Sequence, residues 1–239
     1  MTDVHGQEGL FGASWSDVSD AEYLGSSSQP SLEKILKLKP DLILDRSSTY
    51  QYKLLPAIAP TVLVPDAYEA PADQVFFKQN LRYIAKLLSQ EDKAEAVLRQ
   101  YQQRVSELKK RLGNQLDQLK VAVIFYAEGY MYTISNQMNS LVPAVFNDVG
   151  LRYKFLSRNG DIKPMISIEL LHEYDADILF IVNLVRQPPD FYLQQPLFSR
   201  LKAVKSNRAY VVSNEAWNGI GILGANNILD DLFKYLPEN

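Results

Sequence analysis

The sequence predicts an α/β protein of two lobes, each built on a mostly parallel sheet flanked by helices, with one long helix joining them. Three observations predict it: an internal repeat, alternating helix and strand signals within each copy, and an amphipathic stripe between the copies. In the repeat, SLEKILKLKPDLIL from Ser31 matches SIELLHEYDADILF from Ser167 without a gap. Ser31 and Ser167, Glu33 and Glu169, and Asp41 and Asp177 share one offset of 136 residues.

Each copy reads as a helix running into an apolar strand, followed by a loop, a short helical stretch (52–58 or 196–204) and a second apolar strand. Those second strands are TVLVPD from Thr61 and RAYVVSN from Arg208. A largely parallel sheet follows, because helical crossovers return the chain to the same end of the sheet. Between the copies, Ala94, Val97, Leu98, Tyr101, Val105, Leu108 and Leu112 recur at helical spacing, predicting one helix over Glu91–Leu112. Ser89 with Asp92 reads as a capping box, Glu95–Arg99 and Glu107–Arg111 as i,i+4 pairs, and Gly113 as the stop. Such a helix spans about 30 Å, enough to act as a strut between lobes. The expected division is a first lobe over 1–89, the linking helix over 90–114 and a second lobe over 115–239. The second lobe opens with the strand VAVIFYA from Val121. The same offset places its counterpart before Met1, so the first lobe is expected to be truncated, without its opening strand.

Composition narrows the function classes. A formal net charge of -3 with both signs interspersed offers no basic field for a phosphate backbone, which argues against a nucleic-acid partner. Cys 0 removes disulfides, thiolate metal sites and cysteine nucleophiles. No run approaches the length of a membrane span, and MTDVHGQEGLFG has neither the basic nor the apolar region of an export signal. The repeat favours a chain whose targeting segment lies upstream.

The run GSSSQPSLEKILKLKPDLILDRSSTYQYKLLPAIAP from Gly25 resembles the periplasmic siderophore-binding proteins of ABC transporters, a class that also holds vitamin B12 and haem binders. The shared pattern is a Pro-Ser-x-Glu-x-Ile helix, a Leu-x-Pro-Asp-Leu-Ile strand and an Ala-Pro-Thr-Val strand start, here Ala59–Val62. Similarity continues to the final SNEAWNGIGILGANNILDDLFKYL, while the family's opening strand and signal peptide have no counterpart. The resemblance implies two lobes with a shallow cleft and small closure motions. It also implies a ferric siderophore as the transported ligand with no intrinsic cofactor, a permease dimer as partner, and a monomer in the periplasm or anchored on the outer face of the inner membrane.

In open parallel sheets, ligands bind beyond the carboxyl ends of the strands. Those positions hold Arg46, Ser47, Ser48, Tyr50 and Tyr68 in the first lobe, and Tyr126, Tyr130, Tyr132, Arg186, Trp217 and Asn218 in the second. Guanidinium groups suit the oxygens of a metal chelate and aromatic rings suit its apolar backbone. Tyr126 and Tyr132 are as well explained by strand packing, and Arg152, Arg158 and Lys163 by a solvated face. Glu33 and Glu169 each follow a serine at a helix start, where a carboxylate complements the helix dipole. In the resemblance, they match two surface glutamates that dock onto permease arginines.

An enzyme is disfavoured. His5 and His172 are the only histidines, no G-x-S-x-G, P-loop or H-E-x-x-H occurs, and the glycines of GIGILGANN follow no strand directly and read as the entrance to the last helix. Direct ferric iron binding by the tyrosines would want convergent carboxylates or histidines. Haem or cobalamin remains an alternative, with Tyr ligation of haem iron open. Trp and Tyr beside few basic residues favour a hydroxamate or citrate–hydroxamate chelate over a catecholate.

Overall fold

The structure, a computed structural model, describes residues 20–26, 29–45, 53–64, 76–135, 140–155, 164–219 and 221–237. Its first part holds the antiparallel pair β1 (Gly25–Ser26) and β2 (Gln29–Pro30), helix α1 (Leu32–Leu38), and strands β3 (Ile43–Asp45) and β4 (Thr61–Leu63). The Ser31 hydroxyl accepts the Lys34 N–H at 3.3 Å and starts α1, while Lys39 at φ 48° ends it. Strands β3 and β4 pair in parallel, with a 3-10 turn over Leu55–Ala57 between them.

Two helices follow, α2 (Phe76–Leu87) and α3 (Glu91–Leu112). The observed limits of α3 are those its apolar stripe predicts, and Gly113 ends it at φ 49°. The expected Ser89 cap is absent: Ser89 adopts φ 52°, its N–H bonds to the Lys86 carbonyl and the Gln90 N–H to the Ala85 carbonyl. This is the left-handed closure of α2, so Ser89 cannot also serve as the extended cap of α3. Glu95 likewise turns to α2, accepting from both Nε and Nη2 of Arg82 at 2.6 and 3.2 Å.

The rest of the chain builds the larger sheet. Its elements are β5 (Lys120–Ala127), β6 (Tyr130–Tyr132), α4 (Leu141–Val149), β7 (Arg152–Tyr153), β8 (Met165–Ile166), β9 (Ile178–Asn183), α5 (Pro189–Leu193), α6 (Lys202–Lys205), β10 (Ala209–Ser213), α7 (Asn214–Trp217) and α8 (Gly221–Tyr235). The order is β10-β9-β5-β6-β8, with β7 joined to the start of β5. Strand β6 alone runs against β5, so the sheet is mostly parallel. Apart from Lys120 and Asn183 at their ends, both central strands are runs of apolar and aromatic residues, because both faces are covered. Val121, Val123, Phe125, Phe180 and Val182 share a core with residues of α3, α4 and α8. Ala122, Ile124, Leu179 and Ile181 meet Leu171, Tyr192, Phe198 and Leu201 on the other side.

The repeat survives as hydrogen bonding. Ile43 and Leu179, equivalent by the offset, each donate to the carbonyl of the residue immediately before the next strand, Pro60 at 2.8 Å and Arg208 at 3.0 Å. The two copies differ in one helix, since Ile168–Tyr174 is a run of 3-10 turns rather than an α-helix. Leu171 and Tyr174, three apart, are its buried residues, and a 3-10 turn eclipses positions at that spacing. Helix α2 falls within the 1–89 segment, yet its Phe77 enters the second lobe's core while Tyr83 donates to the Leu63 carbonyl of β4 at 3.2 Å. It therefore touches both sheets.

Candidate functional site at the carboxyl rim of the larger sheet

Tyr126, Asn183 and Ser213 stand in one row, the ends of β5, β9 and β10. Strand pleating sends their neighbours to alternate faces. On one side Tyr130, 48% exposed, stacks on Tyr132 at 6.0 Å, and buried Tyr132 stacks on Phe125 at 4.9 Å. On the other, Tyr126 meets Tyr192 at 4.9 Å and Phe191 at 6.1 Å, and Phe191 is 43% exposed. Aromatic surface thus reaches solvent on both faces of this rim.

Asn183 shapes the turn after β9. Its side-chain oxygen accepts the Gln187 N–H at 3.2 Å and the Tyr192 hydroxyl, and its amide donates to the Gln187 carbonyl at 2.7 Å. The closed turn holds Arg186 at φ 55°, a left-handed conformation that a residue with a Cβ adopts at a cost of about 1 kcal/mol. The Arg186 guanidinium donates from Nη2 to Glu215 Oε1 at 3.2 Å. Glu215 Oε2 accepts the Ser213 hydroxyl at 2.7 Å, and that hydroxyl oxygen also caps α7 by accepting the Ala216 N–H at 3.3 Å. Burial pushes the Glu215 carboxyl up, but the Ser213 hydroxyl, its own backbone N–H and Arg186 outweigh it and hold it below the usual carboxylate range. Buried Asn214 beside it has a side-chain oxygen without a hydrogen-bond partner among the described residues.

Of the residues singled out by sequence, Tyr126, Tyr130 and Arg186 are brought together here. Asn218 is exposed one turn of α7 beyond, its N–H bonded to the Asn214 carbonyl at 2.8 Å. Trp217 is a correction. It is 1% exposed, packed on Phe180 at 4.6 Å with its indole N–H donated to Asp231 at 2.7 Å, so it belongs to the core and not to a ligand surface. Arg46, Ser48, Tyr50 and Tyr68 lie outside the described residues, as do Arg158 and Lys163. Asn183, Phe191 and Glu215 were missed. Glu215 lies in the same SNEAWN segment as Trp217, but its partner is 29 positions away and only the β9–β10 pairing joins them.

Glu33 sits in the first turn of α1, highly exposed, with an ion pair to Lys37 at 3.0 Å. Glu169 is exposed in the first 3-10 turn, and its carbonyl shares a hydrogen bond with His172 Nδ1 at 2.9 Å. Exposed apolar side chains accompany each, Leu36 beside Glu33 and Met165 and Ile168 beside Glu169.

The opposite end of the sheet holds a polar cavity of about 570 Å³ lined by Lys120, Arg152, Lys154, Asp175, Asp177 and Lys202. Its charges are used internally. Lys202 pairs with Asp177 at 2.6 Å, Lys154 donates to the Asp175 carbonyl at 2.5 Å and Arg152 to the Asp117 carbonyl at 2.8 Å. It reads as a solvated face, and the arginine and aromatic groups of the rim are far better suited to a chelate.

The chain is 28% identical over 247 residues to the iron-uptake system-binding protein of Bacillus subtilis, covering 94% of this chain and 75% of that protein. It is 29% identical over 219 residues to the Fe(3+)-citrate-binding protein YfmC of the same organism, with 90% and 67% covered. The structure is similar, with a TM-score of 0.72 and 26% identity, to the triscatecholate siderophore binding protein FeuA from Bacillus subtilis complexed with ferri-bacillibactin, covering 98% of this chain and 85% of that one. Residues 14–216 match the family described as periplasmic binding protein, and the chain belongs to that family.

Proposed function

We propose that the chain is the substrate-binding component of an ABC iron-uptake transporter, capturing a ferric siderophore between its lobes and delivering it to the permease without catalysis. The observation that carries this reading is the rim where a half-exposed guanidinium, Arg186, stands with the open aromatic faces of Tyr130 and Phe191 at the carboxyl ends of the parallel strands. Guanidinium N–H groups match chelate oxygens, and the rings cover an apolar chelate backbone. The named relatives are iron-uptake and ferric-chelate binding proteins, which favours the same ligand class here. In this reading residues 1–89 and 115–239 form the lobes and 90–114 the strut, with Arg46, Ser48, Tyr50 and Tyr68 completing the cleft from the first lobe. Glu33 and Glu169 dock onto the permease dimer. The protein works as a monomer in the periplasm or tethered outside the inner membrane, and the ligand is a hydroxamate or citrate–hydroxamate chelate.

The test is quenching of tyrosine and tryptophan fluorescence during titration with ferric hydroxamate, citrate and catecholate complexes, with haemin and cobalamin as controls. Saturable quenching by one ferric class, with Kd of about 1 μM or tighter, is the expected outcome. A folded sample that responds to none of the ferric complexes overturns the reading.

A further inference from the structure

Among the described residues, the segments that follow β5, β9 and β10 (128–129, 184–188 and 214–219) carry one cation, Arg186, and two carboxylates, Glu128 and Glu215. The cation does not face the cleft as an unpaired charge, because Glu215 holds it at 3.2 Å. Glu215 is itself fixed from a second side by the Ser213 hydroxyl at 2.7 Å, and Arg186 by the left-handed turn closed through Asn183. Glu215 does not swing away without losing the Ser213 hydroxyl, and the turn fixes the backbone from which the half-exposed Arg186 side chain reaches it.

We infer that Glu215 sets the charge preference of the cleft: by occupying Arg186 it withholds that positive charge from the ligand, so the rim accepts ferric chelates of low net charge and disfavours strongly anionic ones. The inference rests on the ferric-chelate reading above and names the class within it. Three singly charged hydroxamates neutralise Fe(III), whereas three doubly charged catecholates leave a trianion. A trianion must either pull Arg186 from Glu215, leaving that carboxylate unpaired against it, or sit beside an already neutralised guanidinium. A fixed repulsive group discriminates between otherwise similar ligands in this way, and charge complementarity contributes more to specificity than to raw affinity.

The experiment compares a neutral gallium trihydroxamate with an anionic gallium tris-catecholate, titrated into wild type, Glu215→Gln, Arg186→Gln and the double variant. Glu215→Gln is expected to shift the affinity ratio about tenfold toward the tris-catecholate, and the same substitution in the Arg186→Gln background to shift it less than about twofold. A wild type that binds either complex while Glu215→Gln leaves the ratio unchanged overturns the inference and leaves the ferric-chelate reading standing. So does a shift that persists undiminished without Arg186, since Glu215 would then act as a bare charge. If wild type binds no ferric or gallium complex, the ferric-chelate reading itself falls. Melting curves establish that each variant is folded, and should Glu215→Gln fail, Glu215→Asp, with its carboxylate one methylene further from Arg186, is expected to shift the ratio in the same direction by a smaller factor.

Discussion

Trp217 closes the short helix α7, in a stretch that by composition, polar and flanked by glycine, looks built for contact, and the structure shows why composition misleads there. The indole fills space between Phe180 and Phe146, at 4.6 and 6.1 Å, and Asp231 takes its one polar group. Trp217→Ala should therefore lower stability by about 3–5 kcal/mol, read by urea unfolding. Weakened chelate binding with a loss below about 1 kcal/mol would return the residue to the cleft. The glycines that follow have a similar explanation. A Cβ on Gly224 would lie 2.6 Å from Leu141 Cδ1 and 3.0 Å from the Gly219 carbonyl carbon. The leucine can shift but the backbone cannot, so Gly224→Ala should destabilise by about 1–3 kcal/mol despite alanine's better helix propensity. Thermal melting checks this, and an unchanged or higher Tm would mean the helices have room to separate. Residue types alone signalled aromatics and arginines well. They could not signal which were already satisfied by a partner, because Trp217 and Asp231 meet only when α7 packs on α8.

Elements were more legible than contacts. The limits of α3 follow from its stripe and Gly113, since helical periodicity is local information. Partners of its charged residues are also tertiary: Glu95 takes its ion-pair hydrogen bonds from Arg82 of α2, while the expected Arg99 contributes as a nearby charge. The junction of α2, α3 and α4 adds a group no periodicity announces. Asp148 of α4 accepts the Lys78 ammonium at 2.7 Å and the Tyr101 hydroxyl at 2.7 Å, and Phe77 meets Tyr101 edge-on at 5.5 Å. Burial, followed by the Asp148 charge, pushes the Tyr101 phenol far up, which keeps it a donor. Removing Asp148 strands a poorly exposed ammonium. Asp148→Ala should cost about 3–5 kcal/mol and Tyr101→Phe about 1 kcal/mol, measured by denaturant unfolding; a loss under 1 kcal/mol for the first would mean water replaces the carboxylate. A second tie joins β9 to the start of β5, where Asp177 accepts the Lys120 N–H at 3.0 Å. Its bond from Lys202, then that N–H, lowers its pKa below the usual 3.8. A depressed carboxyl stabilises the fold above its unfolded pKa, and the gain is lost as pH falls through the folded value. Asp177→Asn should thus lower stability by about 1 kcal/mol at neutral pH, discounted for its exposure, and the difference from wild type should shrink as the pH falls through the depressed folded pKa. A gap that stays constant with pH would assign the effect to geometry rather than charge.

At the scale of the whole molecule, the repeat made the two-lobed plan legible because it recurs as the same strand pairing, β3 with β4 and β9 with β10. It could not announce the Arg186–Glu215 pair, which has no equivalent in the repeated pattern and depends on two loops meeting across β9 and β10. The repeat does carry Glu33 and Glu169 at equivalent positions. Local structure alone gives them little to do, for the Glu33–Lys37 pair is 77% exposed on the glutamate side and such pairs contribute at most about 1 kcal/mol. What accompanies them is exposed apolar surface, with Met165 at 60% exposure next to Glu169's turn and Leu36 one turn after Glu33. A carboxylate ringed by open apolar side chains is the composition of a contact centre, where desolvation by the partner strengthens an arginine–carboxylate bond. Replacing both glutamates by alanine should leave chelate affinity within about twofold, because neither belongs to the set of Arg186, Tyr130 and Phe191 that meets the chelate. It should abolish iron uptake in cells carrying the cognate permease, measured with radiolabelled ferric chelate. Each single replacement should reduce uptake less than the pair, since one anchored lobe still holds the complex. Lost chelate affinity in the folded double variant would instead place these carboxylates in the binding cleft, and uptake at the wild-type rate would move the docking surface elsewhere.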